Sequence, residues 1–261
     1  MIRALWTAST GMKAKMTAMD VIANNLANVG TTAFKKSRAD FQDLLYQTLK
    51  AAGESTGPDT ENPVGQQIGA GTKLAAVTKE FSQGSLTRTD RDLDVAIMGE
   101  GFFTVQGIDG EDRYTRDGTF ELDESGNIVT PDGLFVKGAG AIPVNARAVN
   151  ISQTGQVSYI DETGQQNAVG QIQIAQFVNP SGLSAMGGNL YMESPSSGPA
   201  QEQQPGLNGS GTLQQRYLEL SNVNIVQEMV DLISNQRAYE ANSKMIKSSD
   251  QMLQTANQLA R

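Results

Sequence analysis

The sequence predicts an α+β chain in which paired long terminal α-helices form a coiled-coil-like stalk, with an antiparallel all-β domain inserted between them. Two observations predict it. A seven-residue apolar repeat runs through each end: Leu5, Met12, Met19 and Leu26 at the front, and Ile225, Leu232, Tyr239, Ile246, Leu253 and Ala260 at the back. The stretch between them is punctuated by turn pairs and short alternating apolar runs.

A seven-residue repeat keeps one helix face against a partner helix. Ala8, Met16, Ile22 and Ala23 widen the front stripe; Met229, Ile233, Met245, Met252 and Leu259 widen the back one. Neither helix buries its stripe alone, and the simplest partner of each is the other. The front helix is expected over residues 3–27, ending in the polar run Asn24, Asn25 and Asn28. Ser221-Asn222-Val223-Asn224 supplies N-cap residues for the final helix. Arg38 to Ala51 carries a shorter amphipathic pattern (Phe41, Leu44, Leu45, Leu49), expected as a short helix. Residues 53–71 are expected as a long loop, because Gly57, Pro58, Pro63 and Gly65 exclude a helix or central strand. Within it, residues 53–66 are expected to lie between neighbouring copies.

From Lys73 to Met192 the signals are β. Leu93, Val95 and Ile97 alternate, as do Phe103 and Val105. Asp109-Gly110, Asp117-Gly118, Gly126-Asn127, Asp132-Gly133, Gly155-Gln156 and Gly164-Gln165 mark turns. The expected division is therefore 1–32 with 222–261 as the helical stalk, 33–72 with 208–221 as a connecting segment, and 73–207 as the β domain.

Charge is uneven. Residues 1–50 hold seven Lys/Arg against three Asp/Glu, residues 51–221 nine against twenty-one, and residues 222–261 four against four. An acidic middle argues against nucleic acid, whose phosphates it would repel. The chain has no Cys and no His, which removes thiol nucleophiles, imidazole acid–base pairs and disulfides. No secretory-signal pattern and no membrane-spanning apolar stretch are read in it.

Carboxylates are the remaining catalytic temptation. Asp90, Asp92 and Asp94 open like a calcium loop, but Val95 and Gly101 stand where its Gly and bidentate Glu belong. These read better as solvated carboxylates leading into a strand. Asp109, Glu111, Asp112, Asp123 and Glu124 read as turn residues. Gly99-Glu100-Gly101 precedes a strand and lacks the third Gly of a dinucleotide motif. Lys35, Lys36 and Arg38 read as a solvated face or a surface for an acidic partner. The expectation is no enzyme, no catalytic residue, no cofactor, no metal and no small-molecule substrate.

Asn24-Asn25-Leu26-Ala27-Asn28-Val29 followed by Thr31 to Lys35 resembles the amino-terminal signature of bacterial flagellar basal-body rod and hook proteins. Ser221 to Asn224, Glu228-Met229-Val230 and Gln236 to Asn242 resemble their carboxy-terminal signature. Asp94 to Phe103 and Tyr114 to Gly118 are similar to their β-domain. Asp43 to Gln47, the loop to Gln66, and Gln67 to Gly71 resemble a rod-type member more than the longer hook proteins or the proximal rod. Ala33 stands where many relatives have Gly, so a turn of positive φ there would be strained.

The resemblance implies a structural subunit, exported unfolded by the flagellar export apparatus without a cleavable signal. It would self-polymerise into a helical tube across the periplasm. Its neighbours would be the proximal rod, the hook protein and the P-ring and L-ring. The self-assembly residues would be Leu5, Met12, Met19, Ile22, Leu26, Ile225, Met229, Leu232, Tyr239, Ile246 and Leu253. Asn24, Asn25, Asn28, Asn222 and Asn242 either bridge subunits or cap locally. The alternatives are a proximal-rod or hook-type axial protein and, from a different class, a membrane-surface protein whose helices lie on lipid.

Overall fold

The computed structural model describes residues 2–51, 55–57, 60–61, 64–107 and 109–259. Ala260 of the expected seam, and Gly53, Pro58 and Pro63 of the expected loop, lie outside the described residues. The chain is α+β, with helix α1 (Ile2–Ala27), helix α2 (Ile225–Leu259) and many short antiparallel strands. It divides into two compact units. Unit 1 holds residues 1–27, 37–78 and 224–261; unit 2 holds 28–36 and 79–223.

In unit 1, α1 lies against α2. Asn224 caps α2: its Oδ1 accepts the N–H groups of Val226 (3.1 Å) and Gln227 (3.2 Å). Two contacts set the pairing. Asn25 Nδ2 donates to Glu228 Oε2 (3.2 Å), and the open side of Gly11 faces Asn242. Both pairs of numbers sum to 253, so the helices run antiparallel in one register over fourteen residues.

Unit 1 also contains a β arm. Strand Ser37–Asp43 pairs with Thr72–Lys79, Tyr46–Lys50 with Gln66–Gly69, and Ser55–Gly57 with Thr60–Glu61. This corrects the expected short helix at 38–51 and much of the expected loop. The physical reason is burial. Phe41, Leu45 and Leu49 all remain exposed, so a helix here would have no surface on which to bury its stripe. The returning segment instead satisfies the backbone by cross-strand hydrogen bonds. At the arm's base Thr72 N–H donates to Thr10 Oγ1 (3.4 Å), and Gly71 has φ +113°. A Cβ on Gly71 would lie 2.2 Å from that Oγ1, so only Gly fits.

Apart from a 3-10 turn at Pro180–Gly182, the regular structure described in unit 2 is β. The largest sheet is drawn from residues 102–203. Its strand Phe102–Gln106 pairs with Asp112–Thr115 along one edge and with Phe135–Val136 and Ile174–Gln176 along the other. Successive side chains of this strand face opposite ways. Phe103 and Val105 enter the main core with Val95, Ile97, Phe120, Val157, Ile172 and Leu213. Phe102 enters a second, aromatic cluster with Tyr114, Phe177 and Tyr191, its ring 5.7 Å from Phe177 edge-on. Hairpins turn at residues 107–111, 123–127, 130–134, 152–156 and 161–165, where five of the six turn pairs lie.

The compact units are cut differently from the sequence division. Residues 37–72 of the expected connector and 73–78 of the expected β domain pack with the helices, and residues 212–219 of the expected connector pair inside the β unit. A third difference lies in the local charge. Asp94 is 1% exposed rather than solvated, while Asp92 accepts from Arg216 Nε (2.8 Å).

Candidate functional site

Two arrangements stand out, one in each unit. In unit 1 the buried residues of α1 are mostly small: Ala8, Ala14, Ala18, Ile22 and Asn25 are buried, and Gly11 and Asn25 meet α2. Opposite them on α2 lies a polar row seven residues apart: Glu228, Asn235, Asn242 and Ser249. Small residues let two helix backbones approach closely, and the polar row keeps its hydrogen bonds locally. Asn235 Nδ2 donates to Asp231 O (2.8 Å), and Asn25 exchanges bonds with Ser37, 2.9 Å each way.

The expected apolar row sits beside this seam. Leu5, Met12, Met19 and Leu26 are half-buried, as are Leu232, Tyr239, Ile246 and Leu253. Ile22 is buried, but Ile225 and Met229 are exposed. Further apolar side chains remain uncovered: Trp6 and Met16 on α1, and Val226, Val230, Ile233, Met245, Met252 and Leu259 on α2. On α2 they fall on two flanks of the seam, one toward each end of the helix. Sequence periodicity picked out these half-buried rows and passed over Gly11 and Glu228. The clue to those was a second seven-residue row, Ala4, Gly11, Ala18 and Asn25, made of residues that hydropathy underrates.

In unit 2 three segments that carry the chain into and out of the β body are stitched together. Ala33 N–H donates to Glu219 O (2.8 Å) and Lys36 N–H to Asn222 Oδ1 (2.8 Å). Asn222 Nδ2 donates to Glu80 O (2.8 Å), and Glu80 N–H to Lys36 O (2.9 Å). At the centre Lys35 Nζ donates to Glu219 Oε1 (2.6 Å) and to Ser82 O (2.7 Å), with both charged side chains 0% exposed. Gly84 N–H donates to the same carboxylate oxygen (2.8 Å). Arg116 approaches the other oxygen at 3.6 Å and donates twice to Gly99 O (2.8 Å).

This overturns the solvated reading for Lys35, while Arg38 is exposed as that reading expects. Lys35 is a core cation, Lys36 pairs with Glu80 (3.1 Å), and Arg38 pairs with Asp40 (3.0 Å). Burial pushes the Lys35 ammonium below its ordinary pKa, against the pull of Glu219, and the Arg116 charge pushes the same way as burial. Burial likewise lowers Arg116. Glu219 was missed by sequence reading; the signal was a lone carboxylate in the apolar strand Tyr217-Leu218-Glu219-Leu220.

Ala33, beside the cluster, has φ +54° and is buried, so the strain expected of a non-Gly residue is present. Of the asparagines, Asn25 and Asn222 make the bonds given above within their own chain. Asn242 faces Gly11, Asn24 is exposed and Asn28 is half-buried. The turn carboxylates have local uses: Arg113 holds Asp109 (2.6 Å), Lys137 holds Asp112 (2.9 Å), and Asp123 accepts from Glu124 N–H (2.8 Å). Among the described residues no helix is long and apolar enough to cross a membrane.

Three family models match the chain. "Flagella basal body rod protein" matches residues 5–35, "Flagellar hook protein FlgE/F/G D1 domain" residues 96–159, and "Flagellar basal body rod FlgEFG protein C-terminal" residues 214–259. The chain is 49% identical to the flagellar basal-body rod protein FlgG of Buchnera aphidicola subsp. Schizaphis graminum, over 99% of its own length and all of the relative's. It is 41% identical to that of Bacillus subtilis, over the full length of both. A flagellar hook protein, FlgE of Helicobacter mustelae, is 44% identical over 53% of this chain and 31% of that protein.

Proposed function

This chain belongs to the flagellar basal-body rod protein family, and from that premise we propose that it is the distal-rod subunit, which polymerises into a helical tube and transmits torque to the hook. Full-length similarity to rod proteins supports a rod subunit over a hook-type one, since only 31% of the hook relative is matched.

One observation carries the reading. α1 and α2 cover each other along a seam of small and polar residues, and leave large apolar side chains uncovered on both flanks. Exposed apolar rows of this extent mark a surface that other chains cover. In the tube, the antiparallel pair acts as a coiled-coil-like stalk. Its flanks (Trp6, Met16, Met229, Ile233, Met245, Met252) pack on the stalks of neighbouring copies, beside Leu5, Met12, Met19, Leu26, Leu232, Tyr239, Ile246 and Leu253.

Charge supports the same division of labour. Unit 1 contains ten Lys/Arg and ten Asp/Glu, whereas unit 2 contains ten and eighteen. A neutral stalk stacks on copies of itself without net repulsion, and an acidic body stays hydrated. The arm offers further apolar contacts through Leu45, Tyr46, Leu49 and Ile68. A two-stranded ribbon exposed on both faces is marginal alone, so neighbours would hold it.

In this reading the proximal rod and the hook protein adjoin the polymer's ends, the P-ring and L-ring surround it in the periplasm, and the export apparatus delivers the chain without a cleavable signal. It is a structural part, not an enzyme.

Met252→Asp tests the assignment. Met252 is exposed in the single chain, so thermal unfolding of the monomer should be unchanged. Burying such a side chain is worth about 1.5–3 kcal/mol per contact, and every copy repeats the loss. Filaments should vanish from negatively stained concentrates and cells should lose motility. Normal filaments from the variant would refute the stalk assignment at this face.

A further inference from the structure

We infer that unit 2 closes last and from its C-terminal side: residues 212–219 act as a latch that keeps the β body open until they arrive. The strand partners reveal it. The largest sheet and the three-stranded meander use only residues 102–203, so they assemble from one continuous stretch. Two earlier strands find no ladder partner among these, Val95 N–H reaching only Gly118 O (3.0 Å) beside the Asp94–Thr119 bridge. Among the described residues, Leu86–Arg88 pairs with Tyr217–Glu219, and Val95–Met98 pairs with Thr212–Gln215.

Without their late partners, the Val95–Met98 backbone groups would lose their ladder inside a buried site. Val95 and Ile97 are fully buried, and Leu213 is 1% exposed in the same cluster, so one wall of the main core waits as well. The segment at the N-terminal side waits for the same residues. Ala33 N–H needs Glu219 O, and the Lys35 ammonium needs the Glu219 carboxylate. Docking Lys35 beside Arg116 with no Glu219 would bury two cations without a counter-charge. Gly84 N–H depends on that carboxylate too.

Three early segments (28–36, 79–88 and 95–98) therefore share partners in one late segment, even though Thr32 also meets Asp117 (2.9 Å) and Phe81 packs on Phe102 and Tyr191. Lys35 and Glu219 are 184 residues apart. Contacts so distant must meet their loop-closure cost before they contribute. A chain that emerges N-terminus first cannot close this body until Glu219 has emerged. This concerns the single chain and goes beyond the assembly reading, which it does not require.

Pulsed hydrogen exchange during refolding of the full chain from urea, read by mass spectrometry, tests it. Amides of 102–106, 112–115 and 156–160 should gain protection in an earlier phase. Those of 86–88, 95–98 and 212–219 should gain it together, at least about tenfold more slowly, as expected for non-local closure. Protection of 95–98 with or before 102–106 would overturn the inference. Glu219→Gln should leave the early phase within about twofold of the parent and speed unfolding about tenfold or more, as for a contact absent from the transition state. If the variant never completes folding, protection within 102–203 should still form; its loss, or a slowed early phase, would overturn the latch.

Discussion

Replacing Glu219 by Gln should be far more damaging than replacing Lys35 by Met, although the two residues form one ion pair. Glu219 is the single carboxylate among two cations: Lys35 at 2.6 Å and Arg116 at 3.6 Å. Glutamine keeps the shape and removes the charge, leaving both cations buried. Breaking a buried pair in this way costs about 3–5 kcal/mol. Lys35→Met leaves Glu219 facing Arg116 and still accepting from Gly84 N–H (2.8 Å). What is lost is the ammonium's bonds to Glu219 and Ser82, hydrogen bonds to charged groups worth about 1.5–3 kcal/mol. Relief of the Lys35 desolvation offsets part of this, so the net should be about 1–2 kcal/mol. For a unit of this size each kcal/mol moves Tm by about 2–4 °C. Glu219→Gln should therefore lower the transition by roughly 6–20 °C and Lys35→Met by roughly 2–8 °C. Near-ultraviolet circular dichroism follows this unit, which contains Tyr114, Tyr159, Tyr191 and Tyr217. Equal shifts, or shifts under about 1 kcal/mol for both, would mean that the cluster is hydrated and that the reasoning is wrong.

Alkali should destabilise unit 2. Burial pushes the Tyr114 and Tyr191 hydroxyls up to about 12, with nearby carboxylates adding to the shift. The folded state then keeps protons that the unfolded state releases, so this contribution is intact below pH 10 and lost as pH rises toward about 12. Each tyrosine should cost at most about 3 kcal/mol over that window, Tyr114 less than Tyr191. Lys35 and Lys79, whose pKa values burial lowers, act with the opposite sign and raise stability as pH approaches 10.5 from below. Urea midpoints measured from pH 8 to 12 should rise or stay flat, then fall; a midpoint still rising above pH 11 would contradict this balance. Gly71→Ala should release the arm's base, because the new methyl meets Thr10 Oγ1 and the residue holds φ +113°. Strain of this kind costs about 1–3 kcal/mol. Faster amide exchange confined to 37–50 and 66–79 is the expected readout, and unchanged exchange would count against the fit.

Local signals made the helices and hairpins legible. Asn224 declared a cap because its side chain answers the N–H groups two and three residues on. The turn pairs placed hairpins because the φ they require is a property of those residues alone. The arm was misread because Phe41, Leu44, Leu45 and Leu49 fit a helical period as well as a strand, and a short apolar run cannot decide between them. The helix pairing was less legible. A seven-residue period marks one side of a helix, but the meeting points are Gly11 with Asn242 and Asn25 with Glu228, residues that carry little apolar signal. Lys35 and Glu219 were illegible as a pair. Nothing near Lys35 in the chain distinguishes a cation bound for the core from a solvated one, and its partner comes 184 residues later.

The register of α1 on α2 restricts how this chain can change in length. Asn25 meets Glu228 and Gly11 meets Asn242, fourteen residues along on each helix. Removing one residue between these two points on a single helix would turn everything beyond it by about 100°. On α1, Thr10 would then be carried to the place that Gly11 occupies, where even a Cβ would lie 3.0 Å from Asn242 Nδ2. Insertions or deletions between these points in α1 and α2 are therefore compatible with the pairing only in steps of seven, and only when both helices change together. Lineages that lengthened or shortened this protein would have had to do so in the arm and the β hairpins, where a turn can grow without moving a facing partner.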